Sequence, residues 1–320
     1  MRYEQTKQLN NGEDKNKKGL VYIDGVWEKA DIDRIAEYHR EMPDDWTLAQ
    51  DNHKKHRYEI AVQCIARQEE KYFKEWIEHH LRIGIDHIFI YDNNDEEGLE
   101  TFLKSVLSET DFSKIEVIPW REPMEMQQFG ALEDCVQNHK YDVKWLMSID
   151  LDEFFVIEKP MKEFLDEFAD ASQVYFSWES FGADGQLHYE NKPLCERFRK
   201  PFDCKDSGQG KIMFRPERLK KWGIHGASLT KGKTVNVLHE EIVAPDSFNR
   251  IFKTAWIKHY FTKSLEEWME KMERGCADNL YCRRYNTFFE INPDLKQYYD
   301  PHARKIQKHS LAPQGEVPMI

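Results

Sequence analysis

The chain lacks the features that mark several large classes of protein. Only six of its 320 residues are cysteine, no two of them form a Cys-x-x-Cys pair, and one lies in the apolar run Val62–Ile65. This usage favours buried free thiols in a reducing compartment over a disulfide framework. The first residues have no apolar core typical of a signal peptide, and no run approaches the ~20 apolar residues of a membrane span. We therefore expect a cytoplasmic protein without a transmembrane segment, with peripheral membrane contact left open.

Excess positive charge is also absent. Lys and Arg number 46 against 58 Asp and Glu, which gives a formal net charge of -12. This balance argues against a nucleic-acid partner, because a nucleic-acid groove needs clustered bases. With 40% hydrophobic and 13% aromatic residues, the chain can bury one large core or two fused cores. An acidic globular protein that handles an anionic nucleotide must screen its charge locally, with a cation or a few placed bases.

The most informative segment is an apolar run that ends in carboxylates. Trp145–Ile149 precedes Asp150 and Asp152, and a second apolar run, Phe154–Ile157, follows. Asp-x-Asp occurs often by chance in an acidic chain, where most carboxylates merely face water. Within core chain, however, an unpaired carboxylate is costly, and a divalent cation is the simplest partner for two of them. The segment predicts a buried strand that delivers two acids to a metal-bound diphosphate.

Strand and helix patterns alternate between residues 56 and 180. Such repetition predicts an α/β fold with a mostly parallel, doubly wound, Rossmann-like sheet, preceded by an extension over 1–55 that contains a small hairpin at Asp24-Gly25. Residues 181–320 form a second half in which the regular alternation of strand and helix patterns stops. The predicted elements are strand Tyr58–Ile65, helix Glu69–Ile83, strand His87–Tyr91, helix Asp95–Leu107, strand Ile115–Pro119, helix Met124–His139 and strand Trp145–Ile149.

Polar clusters follow three of the predicted strands. Since parallel strands end at one rim of a sheet, the clusters should form one site, with one loop for a base, one for a ribose, and one for metal and diphosphate. Asp92, directly after its strand, is the better ligand candidate in its cluster. The residues that follow it also fit a strand-to-helix turn capped by Asp95. The candidate nucleotide-binding residues are Ala66, Arg67, Glu69, Asp92, Asn93 and Asp150.

The second half supplies histidines and a capped helix. Val235–His239 and Trp256–Tyr260 are predicted strands that end in or contain histidine. A capping box at Ser264 opens a helix that ends at Gly275. We interpret this half as the acceptor side.

Four ordered motifs resemble glycosyltransferase family 92 and its family 2-like relatives: Glu75–Gly84, His87–Asn93, Ile149–Phe154, and Lys258–Ser264 with Lys271–Gly275. The resemblance spans about residues 58–278. It implies a GT-A fold, a nucleotide-sugar donor, usually UDP-linked, and a divalent cation, manganese or magnesium, held by the Asp-x-Asp motif. It also implies transfer of a hexose to a glycan acceptor, as in polysaccharide biosynthesis.

The resemblance divides the chain by role. Residues 56–180 become the nucleotide-sugar-binding half, and residues 181–320 become the acceptor-binding half with C-terminal helices. Relatives commonly have Asn where this chain has Gln68, and Ser near its Asn94-Asp95. Both departures lie on the expected nucleotide rim.

Roles for the metal follow from this interpretation. Asp152 binds the cation directly, while Asp150 contacts the ribose or the metal. His259 stands in the family-like context His-Tyr-x-x-Lys-Ser and would complete the metal or phosphate site. The alternative for His259 is a hydrogen-bonded core histidine.

Roles for the other charged residues are less specific. Lys211, Lys263 and Arg67 would cover phosphate charge, or they lie on solvated surface. An inverting transfer needs a carboxylate that deprotonates the acceptor hydroxyl. Glu179, at the end of an apolar strand after the metal motif, is the first candidate, and Asp184 is the second. Competing candidates are Glu133, Asp134 and Glu196.

Two other functions compete with a glycosyltransferase. A sugar nucleotidyltransferase would also place acids at strand ends, but no Gly-rich phosphate loop with an adjacent base opens the first strand-helix turn. A non-catalytic sugar-binding homologue would tolerate loss of the acids, yet Asp150 and Asp152 are both present.

Overall fold

The computed structural model describes residues 22–23, 26–27, 56–121, 126–202, 210–221, 223, 225–242, 250–275 and 284–299. The hairpin expected in the N-terminal extension is present as two short antiparallel strands, β1 (Tyr22–Ile23) and β2 (Val26–Trp27). Asp24, Gly25 and the rest of the extension lie outside the described residues.

One large sheet organises the described chain. Its strands are β3 (Tyr58–Ala66), β4 (His87–Asp92), β5 (Ile115–Pro119), β6 (Val143–Ser148), β7 (Glu153–Ile157), β8 (Ala171–Ser180), β9 (Gly210–Phe214), β12 (Lys233–Asn236) and β13 (Ala255–His259). A separate two-stranded sheet contains β10 (Leu219–Lys221) and β11 (Ser228–Leu229). The order in the sheet is β5-β4-β3-β6-β9-β8-β13-β7, with β12 beside β8.

Helices follow most of the strands. They are α1 (Glu70–Arg82), α2 (Leu99–Val106), α3 (Glu109–Phe112), α4 (Gln127–His139), α5 (Met161–Asp166), α6 (Leu194–Arg197), α7 (Leu265–Arg274) and α8 (Tyr285–Ile291). Two 3₁₀ helices span Pro216–Arg218 and Pro293–Tyr298. Within the described ranges, no helix combines the length and the apolar composition needed to cross a membrane.

The pairing of the strands confirms the expected fold class. β5, β4, β3 and β6 pair in parallel, so their carboxyl ends share one rim. β9 then runs antiparallel between β6 and β8, and β8 pairs in parallel with β12 and β13. β7 closes the other edge, antiparallel to β13. Strands from both halves of the chain therefore share one mostly parallel sheet.

Packing on the two faces of the sheet explains why the pattern folds this way. On one face, Phe73 and Trp76 of α1 pack with Val62 of β3. On the other face, Leu132 and Cys135 of α4 pack with the alternate residues of the same strand. Alternation of side chains along β3 thus buries both faces, as a doubly wound sheet requires. Cys64 and Cys135 are buried free thiols, as the sequence predicts.

Some boundaries differ from those predicted. The helix expected from Asp95 begins at Leu99, because Gly98 has a φ of 142° that a helix cannot contain. The helix expected from Met124 begins at Gln127. β12 ends at Asn236, whose side-chain oxygen accepts backbone N–H bonds from Leu238 and Glu240, so His239 lies beyond the strand. Regular hydrogen bonding thus begins later in the two helices, and ends earlier in β12, than hydrophobic periodicity suggests.

Candidate active site

The acid loop, residues 150–153, joins β6 to β7 at the shared rim. The backbone N–H of Asp150 donates to Oε2 of Glu153 at 2.9 Å, and the backbone N–H of Glu153 donates to the carbonyl of Asp150 at 3.0 Å. The indole N–H of Trp76 donates to the carbonyls of both residues at 3.0 Å. These bonds link the two ends of the loop and join it to α1. They therefore fix the backbone positions from which the carboxylate side chains extend.

Asp152 is a buried carboxylate surrounded by positive charge. Its Oδ2 lies 2.5 Å from Nζ of Lys271 and 3.7 Å from Nζ of Lys263, and its Oδ1 lies 3.7 Å from Nε2 of His259. Burial alone would raise the pKa of Asp152, but the neighbouring Lys271 and Lys263 hold it well below its usual value. The group is therefore ionised.

Asp150 is the most open acid of the loop, with 35% of its side chain exposed. Its Oδ2 accepts from Nζ of Lys211 at 3.0 Å, and its Oδ1 accepts from the amide of Gln128 at 2.7 Å. Lys211 is fully buried and also lies 3.6 Å from Glu153. Burial works against its charge, but Asp150 and Glu153 raise the pKa of Lys211. Lys211 therefore stays protonated.

His259 ends β13 opposite Glu153 of β7. Burial lowers its pKa to about 4, against the opposing attraction of Asp152, so the imidazole is neutral at physiological pH. Its ring centroid lies 4.4 Å from that of Trp178. The backbone N–H of Tyr260 donates to the carbonyl of Asp152 at 2.8 Å. This bond ties the end of β13 to the acid loop.

α7 brings the second lysine to the site. Its N-cap, Ser264, forms the capping box with Glu267 that the sequence predicts. The carboxylate of Glu267 also accepts two hydrogen bonds from the guanidinium group of Arg197. Burial would raise the pKa of Glu267, but bonds from Arg197, Ser264 and Tyr72 lower it to about 2. This buried ion pair holds the helix at the angle from which Lys271 reaches Asp152.

The rim beyond β3 and β4 is closed by contacts within the protein. Asp92 is buried and bonds to Arg121 at 2.5 Å. The backbone N–H of Asn93 donates to the carbonyl of Ala66 at 2.9 Å, which joins the two loops. The amide of Asn93 donates to the carbonyl of Trp120 at 2.7 Å. Asp92 and Asn93 therefore shape this part of the rim.

Charged residues after β3 also form ion pairs. Arg67 bonds to Asp95 at 2.8 Å, and both side chains are more than one-third exposed. Glu69 lies 3.0 Å from Arg274 at the end of α7. All three polar clusters thus lie on one rim, and Arg67 carries an accessible positive charge there, since 38% of its side chain is exposed.

The sequence profile of glycosyltransferase family 92 matches residues 56–287. The chain belongs to glycosyltransferase family 92. It is 25% identical over 241 residues to a family 92 protein of Ricinus communis, and 22% identical over 246 residues to one of Arabidopsis thaliana. Each match covers 69% of this chain and 41% of the relative, so the chain spans less than half of their length.

Among solved structures, the chain is similar to 4-diphosphocytidyl-2C-methyl-D-erythritol synthase from Anaerococcus prevotii. The TM-score is 0.30 and the identity 8%, with 50% of this chain and 73% of the other covered. A likeness this distant supports no conclusion, so the fold assignment rests on the strand order. The curled, mostly parallel sheet with helices on both faces is consistent with the GT-A-like fold that family 92 implies.

The family 92 chain offers two ligands that suit a divalent cation. Oδ1 of Asp152 and the neutral Nε2 of His259 face each other across 3.7 Å. Asp150 is held instead by Lys211 and Gln128. Within the described ranges there is no group of three or more His, Cys, Asp or Glu that could hold a metal. The pair fits manganese or magnesium provided that a substrate and water complete the coordination shell.

The two candidate bases of the family 92 chain bond to residues outside the acid loop. Glu179 accepts a bond from the indole of Trp256 at 3.0 Å. Because Trp178 and His259 share one face of the paired strands β8 and β13, Glu179 projects from the opposite face. Asp184 follows β8 in a turn with a φ of 47°.

Ion pairing also affects Asp184. Its carboxylate contacts Lys200 at 2.9 Å and accepts from the backbone of Arg199 at 3.1 Å. Burial works in the opposite direction, but these two contacts lower the pKa of Asp184. The lysine side chain is 83% exposed, so it can leave the carboxylate at little cost.

Sequence reasoning missed Lys271 and Gln128. Lys271 lies four residues after Glu267 on the face of α7 that also carries Trp268, so it interrupts an apolar stripe with a charge. A lysine in that position is the signal that could have drawn attention to it. Gln128 offered no comparable signal, because a polar residue near the start of a helix is ordinary.

Proposed function

We propose that this family 92 chain is a metal-dependent glycosyltransferase that moves a hexose from a nucleotide-diphosphate sugar, UDP-linked, to a carbohydrate acceptor with inversion. One observation carries the proposal: Asp152, neutral His259 and two buried lysines, Lys211 and Lys263, meet where β6 and β13 end. Such a set can hold a cation and balance the charge of a diphosphate.

Each residue has a distinct part in this proposal. Asp152 and His259 would hold manganese or magnesium, which when bound neutralises the charge of the departing diphosphate. Lys211 and Lys263 add positive charge at the same place, where phosphate oxygens would lie. Asp150, the most exposed acid of the loop, would contact the ribose or the cation.

The rim after β3 and β4 would receive the nucleoside. Arg67 can exchange its partly exposed bond with Asp95 for one to the donor. Ala66, Asp92 and Asn93 would form the wall of this part of the site: Ala66 lies opposite Asp92 where β3 pairs with β4, and the backbone N–H of Asn93 donates to the carbonyl of Ala66. Glu69 supports the wall through Arg274.

Inversion requires a base on the acceptor side of the sugar. Asp184 is favoured for this role because its partner Lys200 is exposed and replaceable. Glu179 is engaged by Trp256 on the opposite face from His259. We therefore assign Glu179 a structural part and Asp184 the proton transfer.

A screen of nucleotide sugars for manganese-dependent hydrolysis tests the proposal. Transfer to water reveals the donor without an acceptor in hand. We expect hydrolysis of a UDP-sugar that EDTA abolishes, and Asp152→Asn should lower the rate by on the order of 100-fold or more, since it removes a proposed metal ligand. The control is Asp170→Asn, an exposed carboxylate paired with Lys233, which should hydrolyse at the wild-type rate.

Other outcomes would redirect the assignment. Pyrophosphate exchange without sugar release would indicate a nucleotidyltransferase. Binding of a sugar nucleotide without any turnover would indicate a non-catalytic homologue. Hydrolysis that survives EDTA or the Asp152→Asn change would place the site elsewhere.

A further inference from the structure

Every carboxylate of the acid loop faces a buried ammonium group. Lys211 lies 3.0 Å from Asp150 and 3.6 Å from Glu153. Lys263 and Lys271 both approach Oδ2 of Asp152, at 3.7 Å and 2.5 Å. The three lysine side chains are 0%, 2% and 7% exposed. Three positive charges therefore balance the three carboxylates of the loop, even when all of these are ionised.

The lysines next to Asp152 are fixed in place. Nζ of Lys271 also donates to the carbonyl of Phe261 at 2.9 Å. Nζ of Lys263 lies 4.2 Å from the ring centroid of Tyr72, a distance typical of a cation–π contact. Neither ammonium group can swing into solvent without losing these partners. Both ammonium groups are therefore held beside Asp152.

A free divalent cation thus meets no net negative charge here. Protein sites that bind Mg²⁺ or Mn²⁺ tightly without help from a substrate present several uncompensated oxygen ligands. Here Asp152 presents one negative charge and neutral His259 none, and two lysines already face that one carboxylate. Repulsion between the lysines and a doubly charged ion is substantial at these distances in a buried setting. A diphosphate would reverse this balance because it adds negative charge beside the lysines.

We propose that Lys263 and Lys271 make this a conditional cation site, in which the divalent cation binds tightly only together with a diphosphate-bearing nucleotide. This inference rests on the proposed nucleotide-sugar site. The cation and the nucleotide each raise the affinity of the protein for the other, and the two effects are equal by linkage. The lysines set the size of the coupling, because they supply the charge that the nucleotide offsets.

Binding measurements without turnover test the proposal. Electron paramagnetic resonance would give the affinity for Mn²⁺ with and without UDP, after correction for the Mn²⁺–UDP complex formed in solution. We expect UDP to strengthen Mn²⁺ binding to the wild type by at least about tenfold, the scale of one neutralised charge. Calorimetry of UDP binding with and without Mn²⁺ should give the same factor.

The direction in which lysine variants change the affinity for Mn²⁺ decides the question. Lys271→Met and Lys263→Met each remove a positive charge, so they should strengthen the binding of Mn²⁺ alone by about tenfold and shrink its coupling to UDP. Lys271→Arg keeps the charge and should keep the coupling. Lys71→Met is the matched control, since Lys71 pairs with Glu270 of α7 and not with a carboxylate of the acid loop. If Lys271→Met fails to fold, Lys263→Met makes the same test.

The inference is overturned if Mn²⁺ binds the wild type equally well with and without UDP. It is also overturned if both lysine variants bind Mn²⁺ no better than the wild type, because a merely structural lysine would weaken the site when removed. These results are separate from the nucleotide-sugar screen. Coupling with no turnover of any donor would defeat the proposed function alone, whereas turnover without coupling would defeat this inference alone.

Discussion

At the residue scale, Asp152 and Glu153 are adjacent in sequence and both buried, yet their pKa values are shifted in opposite directions. Burial raises the pKa of Glu153 well above its usual value. The same burial acts on Asp152, but the contacts with Lys271 and Lys263 outweigh it and lower the pKa of that carboxyl. The neighbours of a buried carboxylate, and not the extent of its burial, therefore decide whether it is ionised.

The two candidate bases can be separated by paired substitutions. Asp184→Asn should lower transfer by about 100-fold or more while donor binding is kept, as expected for loss of a general base. Glu179→Gln keeps an acceptor for the indole of Trp256 and should lower transfer by less than about tenfold. Rates and donor affinities of both variants would be measured against the wild type, and proton NMR should show a β-linked product from an α-linked donor.

A large loss in Glu179→Gln with an active Asp184→Asn would return the base to Glu179. An α-linked product would exclude inversion whichever acid acts.

At the element scale, α7 shows how one helix serves both stability and the site. Ser264 caps its first turn, and Gly275 ends it with a φ of 80°. Glu267, part of the capping box, accepts hydrogen bonds from the guanidinium group of Arg197 and the hydroxyl of Tyr72. The same turn that starts the helix thereby fixes it against α1 and α6. Lys271, one turn later, is held within reach of the acid loop.

The pKa of Glu267 gives this helix a pH-dependent contribution to stability. Its pKa is lowered to about 2 in the folded protein, from an ordinary value of 4.5. The stabilisation is therefore complete above pH 4.5 and is lost as pH falls towards 2, and it amounts to roughly 3 kcal/mol. Glu267→Gln should lower the free energy of unfolding at pH 7 by about that amount or more, because Arg197 loses its buried partner.

Denaturant unfolding at a series of pH values measures this effect. The difference between the wild type and Glu267→Gln should narrow as pH falls below 4.5. A difference that stays constant with pH would contradict the assignment. Glu290→Gln on α8 is the control, since its exposed carboxylate only accepts a bond from Asn286, and it should stay within about 0.5 kcal/mol of the wild type.

At the scale of the whole molecule, β9 joins the two halves of the sheet. It runs antiparallel between β6 and β8, so that Met213 lies opposite both Met147 and Val174. The strand begins with Gly210 and Lys211, and the lysine reaches the acid loop from there. β9 is therefore the strand that connects β6 to β8 in the large sheet.

Gly210 allows that insertion. A Cβ at this position would lie 2.1 Å from the carbonyl oxygen of Phe176 and 2.7 Å from the ring of Tyr175. Gly210→Ala should therefore lower the free energy of unfolding by about 3 kcal/mol, at the upper end for overpacking, because backbone atoms must move. It should also weaken UDP binding, since Lys211 moves with the strand.

Met213→Leu in the same strand is the control for Gly210→Ala. It conserves volume and should cost less than about 1.5 kcal/mol. Thermal or denaturant unfolding of both variants would check the difference. Equal stability of the two variants would show that β9 tolerates displacement.

Local patterns in the sequence determined much of the fold. Alternating apolar periods predicted the parallel strands and their helices, because each amphipathic segment must bury one face. The apolar run before Asp150 placed the two acids at the end of a strand, and Ser264 and Gly275 marked the ends of α7. These features depend on residues within a few positions of each other.

The composition of the site was decided only by the tertiary structure. Lys271 meets Asp152 across 119 positions of sequence, and no local pattern specifies such a contact. The strand of Glu179 was predicted, but only pairing of β8 with β13 shows that the site lies on the face opposite its carboxylate. The sequence predicted Asp92 as a ligand, but in the structure its carboxylate is paired with Arg121. Charge pairing between distant segments depends on how elements pack, and that packing is a property of the whole chain.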